Sequence, residues 1–458
     1  MLQTFKNAWK VPELKSKILF TLMILLLYRI GANLYVPFVN VTQIQSADIT
    51  QGALEFLSLI SGGALAQASF FALSVSPYIT ASIVIQLLTV AIPALERLSK
   101  EGEEGKKKLT KYTRILTVAL SLVTAFGYVK LLEANGLLTV FLYDGMAKND
   151  KFMYYFAHVV MITCFCAGAS IIMWLAEKID AHGIGNGISM ILFANIIAST
   201  TTTVQQMVNM LKQPILVNGE IYGFSETWKT GGALVGAIIG IVVSVLLTLG
   251  AILLIVWFTN SERRIPIQYA KRVVGRKMYG GQSSNLPLKM NMAGVMPVIF
   301  ASSIVTIPAT IAGFLPSSKF AIWVTKWLGQ TSIIYIVLNI ILILLFSYFY
   351  IMISFNPVEV SNNIRSQGGS VPGIRPGKPT SDYIKKILNR ITLMGAIFLV
   401  VVAVVPMIVN AITIQFNYYF ASMAFMGTSL LIVVGVALET VRDLEAQMAM
   451  RNYKGFLD

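Results

Sequence analysis

Apolar runs close to the length of a bilayer span recur along the whole chain. Ten can be drawn, beginning near Lys17, Ser76, Ile115, Phe152, Ile184, Gly232, Asn291, Ser332, Ile391 and Tyr419. A helix needs about 20 consecutive apolar residues to cross the hydrocarbon layer, so the pattern predicts a polytopic, all-α membrane protein. The runs are not uniform. The stretch 61–86 reads SGGALAQASFFALSVSPYITASIVIQ, a small, glycine-dotted lead-in that turns at Pro77 into a plainly apolar segment. Pro93 closes that segment, Pro297 and Pro308 lie in the seventh, and Gly183, Gly185 and Gly187 precede the fifth. Broken spans are tolerated where backbone lines a cavity or packs against protein. The interruptions therefore predict a pore or vestibule, not a bundle of plain spans.

Charge orients the pattern. Of the 458 residues 56% are hydrophobic and only 12% charged, about half the charged share of a soluble protein. An even number of spans puts both termini on one side. That side collects 28 of the 36 Lys and Arg, the other side seven, and Arg29 lies within the first span. The positive-inside bias places the termini and the long basic loops in the cytoplasm. The first apolar stretch shows no small-residue cleavage site and reads as a retained span. The expected layout is a cytoplasmic tail 1–16, a first half 17–202, an outer connecting loop 203–231, a second half 232–438 and a cytoplasmic tail 439–458. Two groups of five spans fit an inverted repeat, although no internal self-similarity is visible.

Two cytoplasmic loops exceed what a turn requires. In 259–290 the alternation of Ile265, Ile267 and Tyr269, with Gly275, Gly280 and Gly281, predicts a hairpin-like finger with Arg276 and Lys277 near its tip. In 356–390 the core VPGIRPGKPT presents Arg375 on a proline-stiffened turn. Anionic lipid is one partner for such loops, and an RNA or protein docking surface is the other. The stretch 100–114, KEGEEGKKKLTKYTR, reads as a solvated connector.

Catalytic chemistry is not evident. Gly377-Lys378 is no phosphate loop, because Pro372 stands where glycine is needed and Pro379 follows the lysine. No H-E-x-x-H or G-x-S-x-G occurs, and Cys164 and Cys166 sit two apart in one apolar run, which points them in different directions on a helix. The reading is no enzyme, no metal and no cofactor. A secondary transporter of an uncharged solute stays open, although the spans offer no carboxylate for ion coupling. Arg29 is expected to snorkel or to pair with a neighbouring helix.

Several motifs together resemble the SecY family of protein-translocation channels. They are RIG at 29–31, SGGALAQAS at 61–69, PYITASIVIQLLTV at 77–90, KEGEEGKKKLTKYTR at 100–114 and GIGNGIS at 183–189. NMAGVMPVIFASSI at 291–304, VPGIRPGKPT at 371–380 and GTSLLIVVGVALE at 427–439 continue the match in order. The resemblance implies ten helices in two pseudo-symmetric inverted halves around an hourglass pore in the bacterial plasma membrane. It implies a short, loosely packed plug helix over about 54–69, including Ser61, Gly62, Gly63, Ala64, Leu65 and Ala66. It implies a pore ring of Val75, Ile79, Ile188, Leu192, Ile299 and Ile432, each of which would otherwise read as ordinary helix packing; the family more often has isoleucine at positions 75 and 192. A lateral gate between the second and seventh spans would use Thr80, Gln86, Ser302, Ser303 and Ile307. Contacts to the motor ATPase SecA or a translating ribosome fall on Arg263, Arg264, Arg276, Lys277 and Arg375. SecE, SecG, a preprotein with its signal peptide and anionic lipids complete the implied partners.

Overall fold

A computed structural model describes residues 2–40, 61–138, 151–212, 215–217, 220–222, 232–269, 272–274, 277–279, 283–314, 318–329, 332–415 and 426–454. The short α1 (Leu2–Trp9) precedes α2 (Pro12–Ala32). The second apolar segment is divided into α3 (Ser76–Ala91) and α4 (Pro93–Lys100), followed by α5 (Glu103–Ala134), α6 (Lys151–His182) and α7 (Gly187–Lys212). A small hairpin, β1 (Ile215–Val217) and β2 (Glu220–Tyr222), leads to α8 (Gly232–Asn260). After four further strands come α9 (Met296–Phe314), α10 (Lys319–Trp327), α11 (Ile333–Ser354), α12 (Pro357–Ser366), α13 (Lys378–Gln415) and α14 (Met426–Lys454).

Each of the ten predicted segments thus contains a helix. Among the described residues α5, α6, α11 and α13 are individually long and apolar enough to cross a membrane, and the α3–α4 pair makes a fifth if it is one bent span. Shorter apolar stretches lie in α7, α8 and α9. The predicted start of the tenth segment at Tyr419 lies outside the described residues.

Proline sets the breaks. The α3–α4 junction bends by 103° at Ile92, whose φ of −111° and ψ of 113° are extended. Pro93 imposes this by crowding the residue before it and by withholding an N–H. Pro297 does not interrupt the seventh segment, as its position suggested. It occupies the first turn of α9, where its missing donor costs nothing. The connector expected at 100–114 is also different. Gly102, at φ 75°, turns the chain, and α5 then begins at Glu103 and carries the basic residues as helix. A Cβ at Gly105 would lie 1.8 Å from the Leu98 carbonyl oxygen, so only glycine lets α4 fold back so tightly. Arg114 closes the packing of α5 on α6 with a two-pronged contact to Glu177, both at 2.8 Å.

The two long basic loops form one folded arm. Strand β3 (Glu262–Tyr269) pairs antiparallel with β6 (Ser283–Lys289) on one side and with β7 (Gly369–Ser370) on the other. Beyond β3, the strands β4 (Arg272–Val274) and β5 (Lys277–Tyr279) make an outer hairpin with Val274 opposite Lys277. The predicted alternation is realised: Ile265 and Ile267 are buried while Arg264, Pro266 and Gln268 are exposed. Their partners are Leu288 of the same hairpin and Ile364, Val371, Ile384 and Ile391 of the second loop and α13. The core is therefore shared between segments a hundred residues apart in sequence. Leu288→Ala should cost about 2–5 kcal/mol of this core. The expected outcome is rapid tryptic cutting near Arg272 in a protein that still inserts, whereas Leu253→Ala on the exposed face of α8 leaves the digestion pattern unchanged.

Candidate functional site

Four helices converge on an apolar constriction. Val75 precedes α3 and Ile79 follows it by one turn, its N–H donating to the Val75 carbonyl at 3.0 Å. Ile188 and Leu192 are one turn apart on α7, Ile299 lies on α9 and Ile432 on α14. Val75, Ile79, Leu192, Ile299 and Ile432 are at most 3% exposed and belong to one apolar cluster, against which the partly buried Ile188 packs. All six residues proposed for the ring lie in or against one large buried apolar cluster drawn from both halves of the chain. None has a polar side-chain atom. A narrow aliphatic collar, the arrangement the resemblance implies for these six, excludes water and hydrated ions by dewetting, yet its side chains can rearrange around a larger apolar or mixed object.

The lead-in 61–75 lies directly beside this collar. It differs from expectation in two ways. Its described part is a succession of turns and not an α-helix, because Gly62, Gly63, Ala68 and Ser74 all have positive φ, which no right-handed helix accepts. Residues 54–60 of the expected plug lie outside the described residues. Nor is the packing loose. Ser61, Ala64, Leu65, Ala68 and Ser69 are buried, while Gly62, Gly63 and Ala66 are half-buried. Small residues here allow close approach rather than weak attachment.

The attachments are specific. Leu65 N–H donates to Ser61 Oγ at 3.1 Å, and the Tyr128 hydroxyl of α5 donates to the Leu65 carbonyl. Phe70 N–H donates to the Leu34 carbonyl at 2.7 Å, and Val36 N–H to the Ala68 carbonyl. Beneath them Tyr28 stacks on Phe71 with ring centroids 5.4 Å apart. Asn195 of α7 donates from Nδ2 to the Tyr28 hydroxyl at 2.8 Å and reaches Ser74 Oγ at 3.4 Å. Arg29 comes close enough that a Cβ at Gly62 would lie 3.0 Å from Nη1. The sequence suggests snorkelling or pairing with a neighbouring helix for Arg29; the structure sets it beside this lead-in, which is not a helix. Tyr28, Tyr128 and Asn195 were not identified from the sequence. A buried asparagine within an apolar run was the available signal.

Beside the collar a cavity of about 220 Å3 opens between α3, α5 and α9. Thr80, Ser303 and Ile307 line it, with Pro77, Tyr128 and Leu65 of the lead-in. Gln86 and Ser302, also assigned to the gate, do not. Gln86 donates to Ser82 Oγ on its own helix at 3.3 Å, and Ser302 is buried within α9. The lining is aliphatic with a few hydroxyls.

The GIGNGIS loop is held by three elements. Ile184 N–H donates to Thr21 Oγ1 at 3.1 Å, Gly187 N–H to Asp180 Oδ1 at 2.6 Å and Gly185 N–H to Asp443 Oδ2 at 3.2 Å. A Cβ at Gly187 would sit 2.0 Å from the Ala176 carbonyl oxygen, which explains the glycine. Next to Asp443, Arg442 donates to the Thr259 carbonyl at 2.8 Å, at the root of the arm. Burial there pulls Lys289 below the usual lysine range, and the neighbouring Arg442 pulls in the same direction.

On the arm itself Arg263 and Arg375 are exposed. Arg264 is exposed but engaged with Glu262 at 2.6 Å. The Arg375 turn is fixed by Thr380 Oγ1 donating to the Arg375 carbonyl at 2.9 Å and by Ser361 Oγ donating to the Gly377 carbonyl at 2.8 Å. Arg276 lies outside the described residues, and Lys277 is described only through the backbone of β5. Cys164 and Cys166 are free thiols, Cys166 resting 3.1 Å from Ser121 Oγ. Tyr128→Phe removes one of two donors to the Leu65 carbonyl, which Ala68 N–H also reaches at 3.2 Å, a cost of about 0.5–1.5 kcal/mol. The expected outcome is faster thiol labelling of a cysteine placed at Ala66, read as modification rate in membranes.

Comparison with known proteins agrees with this geometry. The SecY family profile matches residues 69–441. The chain is 43% identical over 464 residues to the protein translocase subunit SecY of Streptomyces coelicolor, covering 100% of both chains. It is 40% identical over 475 residues to that of Mycobacterium tuberculosis, again covering 100% of each. Among solved structures, a protein-conducting channel superposes with a TM-score of 0.61 at 18% identity over 96% of both chains. Sec61 from the canine ribosome–channel complex gives 0.56 at 17% identity over 96% of both. These two establish likeness of fold. With a profile over most of the chain and full-length relatives, the protein belongs to the SecY family of protein translocase subunits.

Proposed function

We propose that this chain is the protein-conducting pore of the general secretory pathway, carrying unfolded preproteins across a bacterial plasma membrane and releasing apolar segments sideways into lipid. The observation that carries the reading is the uncharged collar drawn from α3, α7, α9 and α14, with a tightly seated lead-in beside it. A conduit for chains of arbitrary sequence needs a seal that prefers no particular charge. An aliphatic collar meets that requirement, since it grips by contact and not by complementarity.

The finer parts of the reading follow from the same parts. Ten spans in two inverted halves would surround the collar, with both termini and the arm in the cytoplasm, where the basic residues concentrate. The 220 Å3 cavity beside Thr80 and Ile307 is the proposed start of the lateral exit, closed now by α3, α5 and α9. Arg263, Arg375 and the outer hairpin with Arg276 and Lys277 form the proposed landing surface for SecA or a ribosome, guanidinium groups being suited to carboxylates and to phosphates alike. SecE and SecG would brace the halves from outside, and anionic lipids would neutralise the remaining basic faces. The chain supplies no fuel of its own, so work must come from these partners.

Ion conductance in a planar bilayer tests the pore. The intact complex should be silent, and deletion of residues 57–67 should give frequent openings. Two silent preparations would overturn the assignment of the seal to the lead-in and favour a solute transporter. For the arm, Arg375→Glu should reduce SecA-driven transport into vesicles at least tenfold while the protein inserts and folds normally. Unimpaired transport would remove Arg375 from the landing surface.

A further inference from the structure

The helix α10 occupies the connection between α9 and α11, at the ends of both that are remote from the β3–β6 arm. Its two faces are unlike. Ala321, Val324 and Leu328 are buried, and share an apolar cluster with Val305 and Ala312 of α9 and Tyr335 of α11. Phe320, Ile322, Trp323 and Trp327 point outward, between 41% and 63% exposed. Lys319 and Lys326 are exposed among them, with the Lys326 ammonium 5.6 Å from the Trp327 ring centroid. The helix is well formed, its start capped by Ser318 Oγ, which accepts from Ala321 N–H at 3.1 Å.

Four large apolar side chains on nine residues call for a partner other than water. The surface they form continues onto Ile311 of α9, 45% exposed, and Ile333 of α11, 78% exposed. Those two helices are apolar segments of a membrane protein, so their outward faces meet lipid. Tryptophan beside lysine is the composition of the headgroup layer, where an indole lies half in hydrocarbon and an ammonium reaches the phosphates. A protein partner fits less well, because protein interfaces select against lysine.

We propose that α10 is an interfacial anchor, lying in the membrane surface with Trp323 and Trp327 at headgroup level and Lys319 and Lys326 turned to phospholipid phosphates. Its inner face grips α9, so the anchored end of α9 stays fixed relative to the membrane. Widening of the cavity between α3 and α9 then requires displacement of α3. This second consequence rests on the gate reading above, whereas the anchor does not.

The test uses the full chain in phosphatidylglycerol-containing vesicles, with Cys164→Ala, Cys166→Ala and a fluorophore on Trp323→Cys. Lipids brominated near the headgroup should quench the label at least twofold more than lipids brominated deep in the acyl chain, and aqueous iodide should quench little. Strong iodide quenching overturns the anchor. Protection from both quenchers also overturns it, since protein then covers the helix. Intrinsic fluorescence asks the same question without thiols. Relative to the unaltered protein, Trp323→Phe with Trp327→Phe should halve the emission quenched by shallow bromines, and no change overturns the proposal. A spin-label pair on α10 and α11 should keep its distance through transport while a pair on α10 and Val90 of α3 lengthens. Failure of the lengthening alone refutes the gate consequence and leaves the anchor standing.

Discussion

The apolar cluster that contains Val75, Ile79, Leu192, Ile299 and Ile432 is what the surrounding polar contacts hold in place. These side chains come from four separate helices and hold together by dispersion and exclusion of water, without a hydrogen bond or charge to fix a unique geometry. Such a seal is adaptable but has no directional restraint. The restraint has to come from its surroundings. It does so on one side through Tyr28, Asn195 and Ser74, which lock the start of α3 to α2 and α7, and on the other through Thr21, Asp180 and Asp443, which fix the loop leading to Ile188. Polar bonds ring the apolar centre and do not enter it.

The lead-in belongs to this economy of restraint. Buried to a few per cent at Ala64, Leu65 and Ala68, it is bonded through backbone carbonyls and N–H groups. Its alanines and glycines contribute little apolar area, so most of the burial that holds it comes from Leu65 and Phe71, 6% and 5% exposed. Its hydrogen bonds have water as a ready alternative partner.

The spans were legible because bilayer length imposes a long, apolar run on any helix that crosses it. The β3–β6 hairpin was legible because Ile265 and Ile267 alternate with polar positions between glycines. The union of the two loops was not, since the third strand, β7, is only Gly369–Ser370, and two residues carry no periodicity. The turns in 61–75 were hidden for a related reason. Gly62 and Gly63 permit positive φ, but Ala68 and Ser74 adopt it as well, and nothing in their identity announces that. The collar is the extreme case. Six aliphatic residues are indistinguishable from ordinary packing, and only resemblance to a family marks them out within the large apolar cluster they share. Of the five residues proposed for a gate, Thr80, Ser303 and Ile307 line one cavity, whereas Gln86 bonds within its own helix and Ser302 is buried in its own.

The arm's attachment to α13 has a mechanical consequence. That helix is 38 residues long, about 57 Å of continuous α-helix, against about 30 Å of hydrocarbon. Its first turns, through Ile384 and Ile391, are part of the arm's own core, and farther along Leu399, Val402 and Ala403 enter the cluster that contains the collar. Arm and collar are thus mounted on one rod. A displacement at the arm's end of this helix is carried along it toward that cluster, and the proline at position 406 lies beyond the cluster as a point where the rod can yield. Arm and apolar centre are coupled through a single stiff element.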